Sequence, residues 1–252
     1  MPRQVVMSQE ETLVPGWYGK IPALGDFASR RLPAEFIAIW DAWLQHGMAA
    51  SRASLGEHWL DNYLTSPIWR FALLPGVIGQ QAWTGIMMPS VDKVGRHFPL
   101  TLALPLGGEH GSLTAMLAGQ KWYADMETTA LAALNIDFSA EQLEAELLAL
   151  APPPARRERL DEAGERLASW WDGPGSAFAT TLPESTSPGE FLSASAQYLF
   201  CTVGRGKTLW WSNVGVPTRT QFRAYSGLPP DDRFGELLTA ASAGEISIDI
   251  PA

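Results

Sequence analysis

The chain carries one cysteine, four histidines and fewer basic than acidic side chains, and each scarcity removes a class of function. A lone thiol, Cys201, can build neither an internal disulfide nor a thiolate zinc cluster. It lies in the apolar run Tyr198-Leu-Phe-Cys-Thr-Val203, where it reads as a buried structural thiol rather than a nucleophile. Lys and Arg number 18 against 27 Asp and Glu, a net charge of −9. Duplex nucleic acid and anionic membrane faces are repelled on average by such a chain, so nucleic acid is not an expected partner. No uncharged apolar stretch reaches the roughly 18 residues that suggest a spanning helix, so no integral membrane segment is expected. Residues 1–12 hold Arg3, Glu10 and Glu11 and no apolar core; no signal peptide is visible, and a cytoplasmic location is expected.

Signatures of catalysis are equally sparse. His46, His58, His97 and His110 include no HxxxH pair, and HExxH, GxSxG and GxGxxG are absent. Gly206-Lys207-Thr208 imitates a phosphate loop, but Cys201 stands where the first glycine belongs, and Leu209-Trp-Trp211 reads as strand rather than helix. His58 beside Glu57 and near Asp61 is better read as a solvated face than as a metal or hydrolytic pair. No cofactor is implied.

What is abundant is tryptophan, 11 in 252 residues, within a composition that is 46% hydrophobic and 18% charged. That composition describes an ordinary globular protein, long enough to bury about three quarters of its unfolded surface. The organisation expected is a flexible segment over 1–14 followed by a single domain over 15–252. Trp17–Ile21 suits a short strand. Phe36, Trp40, Trp43, Leu44 and Gly47 recur at helical spacing and predict a helix over 34–48. Strands are expected at 68–74, 82–88 and 98–106, the last with Pro99 and Pro105 confining its paired part to about 100–104 or placing it at an edge. Helices are expected over 113–134, 140–150 (capped by Ser139 with Gln142) and 157–171, then an exposed loop over 172–190. Strands at 197–203, 207–212 and 220–224 follow, the first two joined by a Gly204-Arg-Gly206 hairpin turn, and a helix over 231–240 closes the chain.

Adjacent Trp210 and Trp211 must point to opposite faces of a strand, and Trp69, Phe71 and Leu73 oppose Ile68, Ala72 and Leu74. A sheet apolar on both faces is normally covered on both. The fold class expected is therefore α/β, a three-layer α/β/α sandwich with a mixed, largely antiparallel sheet.

Two polar clusters interrupt this apolar pattern. One is Gly25-Asp26-Phe27 with Arg30 and Arg31; the other, Pro89 to Leu100, holds Asp92, Lys93 and Arg96. Asp92 and Arg96 suit a structural pair that fixes loop geometry by bidentate hydrogen bonds, either with each other or across to the first cluster. Two other readings stay open: an enzymatic cleft near Asp26, Arg30, Asp92 and Arg96, and an anion cradle for a small ligand or phosphopeptide built from Arg30, Arg31, Lys93 and Arg96.

The run Gly19-Lys-Ile-Pro-Ala-Leu-Gly-Asp-Phe-Ala-Ser-Arg-Arg-Leu32, followed in order by Trp40-Asp-Ala-Trp43, Trp59-Leu60, Pro67-Ile-Trp-Arg-Phe71 and Met88-Pro-Ser-Val-Asp-Lys-Val-Gly-Arg-His-Phe-Pro-Leu100, closely resembles the TagF (ImpM) family. The resemblance spans about residues 15–106. It implies a cytoplasmic, non-enzymatic accessory protein of the bacterial type VI secretion system, restraining assembly after translation with or through the forkhead-associated scaffold protein. Some relatives are fused to a PP2C-type phosphatase domain; this chain lacks that domain's paired-aspartate metal signature. The family brings no catalytic set, so Lys20, Asp26, Arg30, Trp59, Asp92 and Arg96 stand as structural or partner-binding candidates. Trp59, Trp122 and one of Trp170 and Trp171 are the expected exposed interface anchors.

Overall fold

The structure, a computed structural model, describes residues 14–106, 119–151, 166, 167, 169, 170, 176–182, 187–214 and 219–239. Seven strands form one sheet: β1 (Gly16–Gly19), β2 (Ala28–Arg30), β3 (Trp69–Leu73), β4 (Ala82–Met88), β5 (Leu100–Leu106), β6 (Lys207–Val214) and β7 (Arg219–Ser226). Their order is β2-β1-β5-β4-β3-β6-β7, and every pairing is antiparallel. The α/β class with a largely antiparallel sheet is thus borne out, with no parallel pair among the described strands. β5 lies inside the sheet rather than at an edge. β1 stops opposite Ala103 and leaves Pro105 unopposed on that side, so proline's missing N–H is tolerated.

Helices α1 (Ala34–Leu55), α2 (Trp59–Thr65) and α6 (Phe234–Leu238) cover one face; α3 (Gln120–Ala132) and α4 (Ala140–Ala149) pack on the other. On the first face Phe36, Trp40, Trp43 and Leu44 of α1 meet Trp69, Phe71, Leu73, Trp83 and Trp210. On the second, Trp122, Tyr123, Met126, Leu143 and Leu147 meet Trp17, Ile86, Leu102, Leu104 and Trp211. Trp210 and Trp211 do part to opposite faces. Each buried aromatic removes about 150–250 Å² from water. Six of the indoles also find acceptors: Trp40 donates to Thr101 Oγ1 at 2.9 Å, Trp43 to Pro229 O at 2.8 Å, Trp69 to Leu237 O at 2.9 Å, Trp210 to Thr208 Oγ1 at 3.1 Å, Trp59 to Ser51 Oγ at 3.0 Å, and Trp17 to the Glu144 carboxylate.

Several expectations change. α1 runs on to Leu55, past its expected end at residue 48, because Ser51 stays buried on the same stripe. β2 is a three-residue strand that was not expected from the sequence. Residues 197–203 belong to a helix, α5 (Pro188–Val203), not a strand. Ser187 and Glu190 form a reciprocal capping box with Pro188 in the first turn, and this start signal overrides the β-rich look of the later residues. The Gly204–Gly206 turn consequently joins a helix to β6, with Gly206 in a left-handed conformation at φ 75°. The Ser139–Gln142 capping box of α4 is as expected. The 231–240 helix begins as a 3-10 turn, Asp231–Arg233, before α6. Residues 1–13 of the N-terminal segment, 113–118 of the expected 113–134 helix, most of the 157–171 helix and parts of the 172–190 loop lie outside the described residues; 176–182 have no regular structure. Among the described residues no helix is long and apolar enough to cross a membrane.

Candidate functional site

The connection between β4 and β5 is organised by one carboxylate. Asp92 Oδ1 accepts the backbone N–H groups of Val94 (3.0 Å) and Arg96 (2.9 Å), which turns the chain back on itself. Gly95, at φ 85°, supplies the left-handed residue that the turn requires. Oδ2 accepts Arg96 Nε at 2.7 Å and Lys20 Nζ at 2.8 Å. The Lys20 and Asp92 side chains are buried, whereas that of Arg96 is about half exposed. Burial alone would raise the Asp92 pKa; the bonds from Lys20, from the Arg96 backbone and guanidinium and from Val94 outweigh it and hold the carboxyl well below the ordinary range.

Lys20 follows directly on β1. There Gly19 lies so close to β5 that a Cβ would sit 2.1 Å from Pro99 O. The two segments are tied further by Lys93 N donating to Leu24 O (2.9 Å), Arg96 donating to Gly25 O, and Ser90 Oγ donating to Lys20 O (2.7 Å). Tyr63 of α2 joins from below, its hydroxyl donating to Ser90 O at 2.8 Å and accepting Ser90 N at 3.0 Å. Burial pushes the Tyr63 pKa up, against the bond to Ser90 and the Arg52 charge. Lys20 also stands 4.7 Å from the Phe27 ring centroid, and Phe27 packs on Tyr18 and Phe98.

The structure therefore brings Lys20, Asp92 and Arg96 into one network and leaves Asp26 and Arg30 out of it. Asp26 is exposed and, among the described residues, accepts only the N–H of Phe27, at 2.8 Å; Arg30 is exposed on β2 and donates to Ser29 O, at 2.9 Å. Of the four cations in the cradle reading, the three guanidiniums already hold acceptors. Arg31, at φ 58°, donates to Pro15 O and to Glu144, Arg96 is spent on Asp92 and Gly25, and Arg30 on its own strand. Trp59 and Trp122 are buried, not exposed. Trp59 is stacked on Tyr63 at 5.0 Å, and Trp122 packs on Tyr123 at 5.2 Å. Trp170 is half-buried, and Trp171 lies outside the described residues. Among the described residues no group of three or more His, Cys, Asp or Glu could hold a metal ion.

Beside the network, an open groove of about 410 Å³ is lined by Arg52, Gly56, Glu57, Trp59, Leu60 and His97. Burial and the nearby Arg52 charge lower the His97 pKa, partly opposed by Asp92, so the imidazole is neutral at pH 7. Arg52 and Tyr63 drew no notice in the sequence, and Leu60 entered only within the Trp59-Leu60 motif. The signal available was the Gly56 break between α1 and α2, which folds Arg52 back toward Trp59.

A family model described as the TagF N-terminal domain, type VI secretion system-associated, matches residues 16–150. The chain belongs to the TagF family. That family region contains the whole Lys20–Asp92–Arg96 network and the groove. The crystal structure of PA0076 from Pseudomonas aeruginosa PAO1 is similar throughout, with 36% sequence identity, 94% of this chain and 99% of that chain covered, and a TM-score of 0.70. No curated protein matches the chain. As a TagF-family member, the chain is associated with type VI secretion.

Proposed function

We propose that this TagF-family chain is a non-enzymatic cytoplasmic accessory protein that restrains type VI secretion by binding its protein components, with or through the forkhead-associated scaffold. The observation that carries the reading is the family match, which encloses the Lys20–Asp92–Arg96 network. The chemistry of that network agrees. All four hydrogen-bonding directions of Asp92 are taken by fixed donors, and its proton affinity is driven down, away from the range in which an acid–base catalyst works at neutral pH. Such a carboxylate holds two loops together and so shapes a surface. The test is a tagged pull-down from the native bacterium with bound proteins identified by mass spectrometry. Enrichment of the forkhead-associated scaffold or another secretion component is expected. A clean preparation that enriches none of them refutes the reading.

A further inference from the structure

α1 ends at Leu55, and the Gly56–His58 turn redirects the chain into α2 at Trp59. The bend lays the Arg52 guanidinium over the Trp59 ring, 4.1 Å from its centroid. Trp59 and Tyr63 stack on one another and meet the His97 ring edge-on at 6.1 and 5.5 Å. His97 arrives from the loop that Asp92 fixes, and the Tyr63 hydroxyl ties that loop to α2, so the two walls of the groove brace each other.

Two properties bear on what this groove can bind. Arg70, Arg96 and Arg223 each bond a carboxylate, whereas the exposed Arg52 guanidinium has no hydrogen-bond acceptor among the described residues. The groove is also bordered by uncovered apolar side chains. Leu60, on the groove lining, and Leu64, one helical turn further along α2, are 41% and 57% exposed. A guanidinium held over an indole, with its N–H groups free of acceptors, suits a carboxylate, the planar partner that matches its fork. Glu57 on the same lining disfavours a dense polyanion such as nucleic acid or polyphosphate.

We propose that the groove receives an acidic, partly apolar segment of a protein partner, with a carboxylate seated on Arg52 and an apolar side chain against Leu60. This inference rests on the protein-binding reading above and assigns that binding a place and a chemistry. It is tested on the full chain in the native bacterium by comparing wild type with Arg52→Glu, Leu60→Asp and the control Leu148→Asp, which lies on α4 across the sheet. All variants are first checked for an unchanged thermal midpoint. Recovery of the secretion component that wild type captures is expected to fall at least about tenfold with each groove variant and to persist with the control. A photo-crosslinking residue at position 60 is expected to attach to a partner segment carrying Asp or Glu beside an aliphatic or aromatic residue. Undiminished capture by Arg52→Glu and Leu60→Asp overturns the groove while leaving the protein-binding reading intact. Failure of wild type to capture any secretion component overturns that reading first. A crosslink to a second copy of this chain, to a phosphorylated segment or to one without acidic residues overturns the chemistry assigned here.

Discussion

Gly47 sits mid-way along α1 with its missing side chain aimed at Phe234 of α6. A Cβ built there would lie 2.3 Å from Phe234 Cδ2 and 2.5 Å from Cγ, far inside the roughly 3.5–4.0 Å at which carbon atoms attract. Phe234 is fully buried and braced edge-on by Trp43 at 5.4 Å, and a cavity that it lines holds only about 10 Å³, so its ring has little space to enter. Gly47→Ala therefore sets two effects against each other. Helix propensity favours alanine by about 1 kcal/mol, while overpacking a filled core costs about 1–3 kcal/mol, with so short a contact placing it at the upper end. The difference leaves the variant about 2 kcal/mol less stable, equivalent to a thermal midpoint lower by about 4–8 °C for a chain of this size. Urea titration followed by tryptophan fluorescence measures it, and adding Phe234→Leu completes a double-mutant cycle. The alanine should be much better tolerated in the Phe234→Leu background than beside the native phenylalanine, giving a favourable coupling of about 1–2 kcal/mol. A rise in stability on Gly47→Ala alone, or strict additivity in the cycle, would refute the packing argument.

Three further outcomes follow from the same geometry. Because the folded Asp92 pKa lies below its unfolded value, the unfolded chain takes up the proton first; the stability this carboxylate contributes is complete above about pH 4 and is lost as pH falls through the depressed folded value. Asp92→Asn should lower the thermal midpoint at pH 7 and flatten its acid dependence, and an acid limb as steep as that of wild type would contradict this. Trp40→Phe, which strands the buried Thr101 hydroxyl, should destabilise more than Trp122→Phe, which removes an indole N–H with no acceptor, by about 1 kcal/mol in parallel urea titrations. The His97 imidazole should titrate below the usual histidine value by NMR and move upward in Arg52→Ala, where one of the charges holding it neutral is gone; a downward or absent shift would place Arg52 away from the ring.

Much of this architecture could be read from spacing alone. Trp40 and Trp43 three apart, with Phe36 and Leu44 completing the stripe, can face a core only as a helix, and Trp210 beside Trp211 demands two covered faces. The Asp92–Arg96 pair is also local, four residues apart, so its loop could be inferred. What was not legible depends on separation in the chain or on competition between local signals. Lys20 reaches Asp92 across 72 residues, and nothing in either segment names the other. β2 is three residues long and exists because Ala28–Arg30 pairs back on β1, with no period to detect. Residues 197–203 carry β-branched and aromatic side chains, yet the cap ten residues earlier commits them to helix. Trp59 was assigned to the surface because tryptophan is abundant, but Ser51 and Tyr63 bury all but the side that lines the groove.

The strand order has a consequence for how this protein can be divided. The family region ends at residue 150, but β3, whose five residues are all buried, is paired on one side with β4 and on the other with β6, which begins at Lys207. Cutting the chain after residue 150 would strip β3 of its outer neighbour and remove Trp210 and Phe234 from the core beneath α1. A bare, apolar strand edge is a template for pairing with other chains. During synthesis the same edge stays open while more than a hundred residues between β3 and β6 emerge, and closing so long a loop makes this late and slow. The segment by which the family is recognised is therefore smaller than the segment needed to complete its sheet, and a fragment cut to the family boundary should aggregate rather than bind.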